Sequence, residues 1–407
     1  MTSEHELFDA YDKRFLKALE TMPLRRPWEQ SEREEILDVL KRCLNIRPEW
    51  IPEIHILNQT KSVAQGDITV KHLQAKSWAQ CYTAADLYLP KEVSNQRIPI
   101  VLLACGHGAG GKRALGYRLM AEHLARHGFG VLVHDNIGQG EREWMGHKTT
   151  TGVFECGLTL QGLIVLETMG WLRWIQSQSE FDLQKISMIG NSGGGLLGML
   201  LGTLCRDDFA AISSSGYPST FEFIARKEKN HCHCNILPHM VGELEMWQLY
   251  GSMAPKPLLI FQGLEDHLFP ADIFYHVARK VAHAYHQQNA ATQFQAQVMP
   301  GKHSWDAERR QLVTEFLCKT FSLPFHTEAL IEHTGTPEFS PCFPHWPADA
   351  KSIESIAQDL TGKSISGTPL WEIIPIPAFS SHPPLPLPLG DVRNIFAQFE
   401  LFLKPDA

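Results

Sequence analysis

The chain has 407 residues, of which 43% are hydrophobic and 20% charged, and its formal net charge is −8. Such a composition supports a large buried core, while the acidic balance argues against nucleic acid or anionic membrane as partners, since both reward clustered Lys and Arg. The nine cysteines are scattered along the chain, so reduced and mostly buried thiols are expected instead of a disulfide framework.

The N-terminus, MTSEHELFDAYDKRF, is acidic and amphipathic and lacks the basic start and apolar stretch of a secretory signal. The most apolar long segment, 195–205, is too short to span a bilayer. A cytoplasmic location is therefore the expectation.

Residues 1–50 read as helical: Leu7, Phe8, Tyr11, Phe15 and Leu19 recur at three and four, as do Ile36, Leu37, Leu40 and Leu44. This lead-in is drawn to residue 60. Two alternating runs, 67–75 and 81–89, predict antiparallel strands. From Ile98 strand and helix alternate. The apolar run 98–105 predicts a strand buried on both faces. A helix with Leu115, Leu119, Met120 and Leu124 on one side follows, and then a strand over 130–135. Next come a helical stretch around 157–178, a strand over 185–190, a helix over 194–205, and strands over 209–215, 257–263 and 293–300. A last helix around 306–321 turns Leu312, Val313, Phe316 and Leu317 inward. The pattern predicts an α/β fold over 61–321, a mostly parallel sheet with helices on both faces.

Two regions fall outside that rhythm. Residues 217–254 interrupt a strand–strand unit and are read as a cap-like insertion over the C-terminal sheet edge. Residues 322–407 are rich in proline, SSHPPLPLPLG (380–390) being the extreme. They also carry Leu370, Trp371, Ile373, Ile374, Ile376 and Phe379, then Ile395, Phe396, Phe399, Leu401, Phe402 and Leu403. That apolar bulk predicts an arm packed on the core or on a second copy of the chain, with a helix or strand near 392–403.

The chemistry is concentrated where the strand KISMIG (185–190) runs into Asn191-Ser192-Gly193-Gly194-Gly195. A serine on a strained strand-to-helix turn needs small flanking residues so that strand and helix can approach. The helix that follows aims its N-terminal amides at a developing oxyanion. Serine alone is a poor nucleophile and needs a base and an orienting acid. The loop after strand 257–263 carries Glu265 and Asp266, and the loop after strand 293–300 carries His303. Both emerge at the same sheet edge as Ser192. His303 is assigned as base and Asp266 as acid, with Glu265 as the alternative acid. The oxyanion donors are the backbone N–H of Gly193 and a second N–H from the loop Gly106-His107-Gly108-Ala109-Gly110-Gly111. Ala109 is chosen there, with Gly110 as the alternative. The glycine loop is not a phosphate-binding loop, because Gly111-Lys112-Arg113 lacks the required Ser or Thr.

These pieces resemble the acetyl-xylan-esterase-like branch of the α/β hydrolases, near the dienelactone-hydrolase group. The matching segments are GHGAGGK (106–112), DNIGQGER (135–142), GNSGGG (190–195), HCHCN (231–235), APKPLLI (254–260) and EDHLFP (265–270), spanning roughly 98–320. The resemblance implies an α/β-hydrolase fold and cofactor-free hydrolysis of a small-molecule ester through an acyl-enzyme. It carries Ser192, Asp266 and His303 over as the triad and Gly193 as an oxyanion donor.

Lactone or C–C bond hydrolysis and acyl transfer use the same machinery and stay open as alternatives, as does a non-catalytic scaffold that binds a partner through its proline tail. No metal is expected. The run His231-Cys232-His233-Cys234 has ligand residue types but not the usual zinc spacing, and is read as a packed loop of the cap. Asp135, beside Gly138 and Gly140, is expected to hydrogen-bond loop amides and fix their turn.

Overall fold

The computed structural model describes residues 17–368 except 18, 65–66, 92–96, 109, 148–149, 227–231, 238–239 and 334–340. In chain order the elements begin with α1 (Gln30–Leu44), followed by β1 (His55–Ala64), β2 (Ile68–Lys76), β3 (Tyr82–Pro90) and β4 (Ile98–Ala104). Next come α2 (Leu115–Arg126), β5 (Gly130–His134), α3 (Thr151–Glu155), α4 (Leu160–Ser177) and β6 (Phe181–Asn191). Then follow α5 (Gly193–Leu204), β7 (Ala211–Ser215), α6 (Phe221–Arg226), α7 (Met246–Gly251) and β8 (Leu258–Gly263). The series closes with α8 (Ala271–Gln287), β9 (Phe294–Met299), α9 (Ala307–Phe321) and α10 (Ile353–Thr361).

All nine of these strands form one sheet in the order β1-β2-β3-β5-β4-β6-β7-β8-β9. The first three pair antiparallel, as does β3 with β5, and every later pairing is parallel. Strand β4 shows why its sequence is apolar throughout. Ile100, Leu102 and Ala104 enter one core with α1, α4, α5 and α8, while Val101, Leu103 and Cys105 enter the other with α2 and α9. Each such buried aliphatic side chain contributes roughly 1.5–3 kcal/mol, so both faces of the strand must be apolar. Among the described residues no helix is long and apolar enough to cross a membrane.

Three differences from the sequence-based expectation stand out, at β1, at α8 and in the insertion 217–254. The sheet starts at His55, inside the segment read as a helical lead-in, because β1 is an edge strand. Most of its side chains from His55 to Lys61 are exposed, so it lacks the alternation of a half-buried strand. The helix expected around 157–178 is α4, capped at Thr159, whose Oγ1 accepts from the Gly162 amide at 2.9 Å. Helix α8 was not anticipated, although Phe274, Val277, Ala278, Val281, Ala284 and Tyr285 bury one face at helical spacing.

The insertion 217–254, read as cap-like, joins the main core, its first half through Tyr217, Phe221, Ile224 and Cys234. Its second half packs into the main core through Leu244, Met246, Leu249, Tyr250 and Met253, and Tyr250 Oη lies 2.7 Å from Ser214 Oγ of β7. An apolar run that dense is more stable packed on α5 and α8 than held over solvent.

As far as it is described, the C-terminal extension lies on the folded body. Leu323 and Phe325 pack on the α2–α9 core, Cys342 and Phe343 cluster with Ala84, and Ile353, Ile356 and Ala357 of α10 enter the main core. The apolar groups at 370–379 and 395–403, and the helix or strand expected near 392–403, lie outside the described residues.

Candidate active site

Parallel strands deliver their C-terminal loops to one edge of the sheet, and the crevice lies there, where the strand order reverses about β4. Strand β6 ends at Asn191, and Ser192 takes φ 60° and ψ −123° before α5 begins at Gly193. A non-glycine residue in that region is strained, by about 1–3 kcal/mol, and persists only where its surroundings enforce it. Here they do so through close approach. A Cβ on Gly190 would sit 2.2 Å from the Gly194 carbonyl oxygen, and one on Gly194 would sit 2.2 Å from the Ala104 carbonyl oxygen. The Ser192 amide donates to the Ser215 carbonyl at 2.8 Å, tying the turn to β7.

His303, from the loop after β9, places Nδ1 2.6 Å from Asp266 Oδ2. The Asp266 carboxylate is buried and further held by the Leu268 and Phe269 amides at 2.8 and 3.1 Å and by Gln262 Nε2 at 2.5 Å. Burial pushes its pKa up, but the His303 hydrogen bond and charge, with those two amides, outweigh burial and leave it below the ordinary carboxylate value. Glu265, the alternative acid, is exposed, and its amide donates to the Gly301 carbonyl at 3.0 Å. The ring of His303 stacks on Phe269 at 5.8 Å. It also crowds Gly216, where a Cβ would meet His303 Cε1 at 2.9 Å and Asn191 Oδ1 at 2.6 Å. Ser192 and His303 line one cavity of about 840 Å³.

The glycine loop after β4 passes against Ser192. A Cβ on Gly106 would lie 2.9 Å from Ser192 Cβ, and the Gly106 amide donates to Tyr117 Oη at 2.6 Å. Gly193 opens a helix, where the first amides have no intrahelical acceptor. Ala109 lies outside the described residues. Asp135 accepts from the Lys112 and Glu141 amides at 2.8 and 3.2 Å and from Lys112 Nζ at 3.1 Å, which joins the two glycine loops. Lys112 is thereby spent inside the fold, buried between Asp135 and Glu141. Arg142, the last residue of DNIGQGER, pairs with Glu167 in full burial at 2.9 and 2.6 Å.

Several residues of the site were not anticipated. Tyr117 and Trp305, with ring centroids 5.3 Å apart, form an apolar wall of the cavity. Glu332 and His333, from the C-terminal extension, close another side, where Glu332 pairs with Arg310 and His333 with Glu122 at 2.9 Å. Neither belongs to a strand-end loop, so no spacing rule marks them.

The HCHC run also has company that its spacing does not reveal. Cys232 and Cys234 meet His107 of the glycine loop and His147 of the loop after Arg142, and their ligand-type atoms all lie within 4.8 Å of one another. Cys234, then the two rings, draws the Cys232 thiol well below the usual thiol range against burial, while burial pushes the Cys234 thiol up. The reading of this run as a simple packed loop is corrected to that extent: the missing partners come from other loops. His233 turns aside, 3.4 Å from Thr150 Oγ1 and against Phe154, and His231 lies outside the described residues.

The chain thus has the α/β-hydrolase fold, a mostly parallel nine-stranded sheet between helices with a serine on the turn after β6. The described structure is similar to Methylesterase BT1017, with a TM-score of 0.63 at 18% identity, covering 87% of this chain and 78% of that one. It is also similar to "a putative acetyl xylan esterase (BF1801) from Bacteroides fragilis NCTC 9343", with a TM-score of 0.59 at 15% identity, covering 74% and 83% of the two chains. In sequence it is 25% identical over 206 residues to "Putative hydrolase YtaP" of Bacillus subtilis (strain 168), covering 49% of this chain and 67% of that protein. No protein-family profile matches the chain.

Proposed function

We propose that the protein is a serine hydrolase that cleaves a carboxylic ester of a small molecule through an acyl-enzyme. The observation that carries this reading is that a strained Ser192 and a His303 held by the buried Asp266 line one cavity. The cavity volume of about 840 Å³ falls in the range of small-molecule sites. The names of the similar proteins, two esterases and a hydrolase, support the same reading.

Ser192 Oγ attacks the ester carbonyl carbon while His303 Nε2 takes the hydroxyl proton. The carbonyl oxygen, now carrying the charge, faces the Gly193 amide and a second amide of the glycine loop, assigned to Ala109. Collapse breaks the carbon–oxygen bond of the alcohol, which leaves with the proton from His303. Water then repeats the attack on the acyl-enzyme, giving up its proton to His303, and the acid departs as Ser192 regains its hydrogen. Asp266 fixes the histidine with Nδ1–H toward itself, so that Nε2 is the basic nitrogen.

The test is a panel of p-nitrophenyl esters of graded acyl length, assayed on the wild type and on Ser192→Ala. Hydrolysis that depends on Ser192 supports the reading. Equal rates for the two proteins contradict it.

A further inference from the structure

We propose that His107, His147, Cys232 and Cys234 form a four-coordinate Cys₂His₂ site for a zinc-class divalent ion, packed directly against the nucleophile turn. Four ligand-type atoms from three separate loops converge within 4.8 Å. His107 Nε2 lies 3.1 Å from His147 Nε2 and 3.2 Å from Cys234 Sγ. Zinc bonds of about 2.0–2.1 Å to nitrogen and about 2.3 Å to sulfur define a tetrahedron with edges of roughly 3.3–3.8 Å, so small adjustments bring these atoms around one ion. Two thiols and two imidazoles are the donor set that selects zinc over harder cations such as magnesium or calcium.

The surroundings of the cluster are those of metal ligands. His147 Nδ1 lies 2.8 Å from the Ile137 carbonyl, which puts the ring proton on Nδ1 and turns the Nε2 lone pair into the cluster. Asn235 Nδ2 donates to Cys234 Sγ at 3.6 Å, and Asn235 is itself held by Tyr217 Oη at 2.9 Å. His147 and Cys234 are buried and Cys232 is half-buried, while His107 is exposed, so the fold holds part of the donor set in place before an ion arrives.

With four protein ligands the site is closed and leaves no position for a water nucleophile. Its role is positional. His107 is the hinge of that role, because its other nitrogen, Nδ1, lies 3.0 Å from where a Cβ on Gly193 would stand. Ligation through Nε2 assigns the proton to Nδ1 and fixes the glycine loop against the residue proposed as an oxyanion donor. The insertion 217–254 is thereby stapled through Cys232 and Cys234 to the loops after β4 and β5.

The experiment uses the full chain, reduced, stripped of metal, and prepared also as Ser192→Ala so that the result does not depend on the hydrolase reading. Zinc loading followed by desalting and elemental analysis should give about one zinc per chain, as for other structural sites. Cobalt(II) added to the stripped protein should give intense visible bands and thiolate-to-cobalt charge transfer, the signature of tetrahedral sulfur ligation. Cys232→Ala with Cys234→Ala should abolish both signals, and His147→Ala should weaken cobalt binding at least about tenfold.

A stripped, folded wild type that gives only a weak octahedral cobalt spectrum overturns the proposal, as does a reduced protein that takes up no zinc. Full zinc content in the double cysteine variant overturns it as well. Should the variants fail to fold, the wild-type cobalt spectrum decides alone.

Discussion

On one side of Ser192, Asp266 and His303 stand 37 residues apart, on the loops after the neighbouring strands β8 and β9. On the other side, the contact between His107 and Cys234 spans 127 residues and joins the glycine loop to the insertion, with His147 contributed by a third loop. The first arrangement follows from sheet topology, since parallel strands must deliver their loops to a common edge. The second depends on how an insertion folds back, which no strand order dictates. Topology-driven residues therefore carry the chemistry in the proposed account, and fold-back residues hold the turn in place.

The sharpest way to break this division is at the nucleophile. Ser192→Ala should lower turnover on the order of a millionfold, because the members of such a set act as a unit. Stopped assays over long times on an activated ester measure it, and a loss of only tenfold would mean that another group attacks. On the acid, Asp266→Asn should lower kcat on the order of ten-thousandfold through the wrong tautomer of His303. Glu265→Gln should change it little, since that side chain is exposed. Equal losses would show that the loop, and not the Asp266–His303 bond, matters.

The opposite side should respond more gently. His147→Gln should reduce kcat/KM by roughly ten- to a hundredfold, the range found for groups that orient a site. Ser192 should still react with an acylating probe in that variant. A loss as deep as that of Ser192→Ala would move the cluster into the chemical step itself.

The smallest effect should come from the second half of the insertion. Burial pushes the Glu245 carboxyl up to about 7 from 4.5, despite the Phe221 and Met246 amides that bond it. A raised carboxyl pKa means that the folded state prefers the neutral form. Its contribution to stability is then fully present below 4.5 and is lost as pH rises through about 7. That gap is worth about 3 kcal/mol. Glu245→Gln should leave denaturant stability unchanged at about pH 4 and raise it at about pH 8. A gain that is the same at both pH values would contradict the assignment.

The same contrast explains what could be read from the sequence. GNSGGG, with a strand before it and a helix behind it, marks Ser192 because the steric demand of the turn is local. The loops that carry Asp266 and His303 are legible because each follows a strand of the parallel sheet by a few residues, the buried β8 for one and the edge strand β9 for the other. The edge strand β1 was hidden by its solvent-facing polar side chains, which carry no burial pattern. His107 and His147 gave no signal as partners of Cys232 and Cys234, because each sits alone in its own loop. Glu332 and His333 were hidden for a similar reason, since they reach the cavity along an extension whose path is set by packing on α2 and α9. Helix α8, by contrast, carries a legible signal, since its apolar face recurs at three and four from Phe274 to Tyr285.

The central claim is that Ser192, activated by His303, is the attacking group. The most direct measurement is peptide mapping by mass spectrometry after reaction with a fluorophosphonate, with the rate of labelling followed in the wild type and in His303→Ala. The account predicts a single stoichiometric adduct on Ser192 that forms far more slowly once the histidine is gone. An adduct on another residue, or labelling of Ser192 at an unchanged rate in His303→Ala, would contradict it.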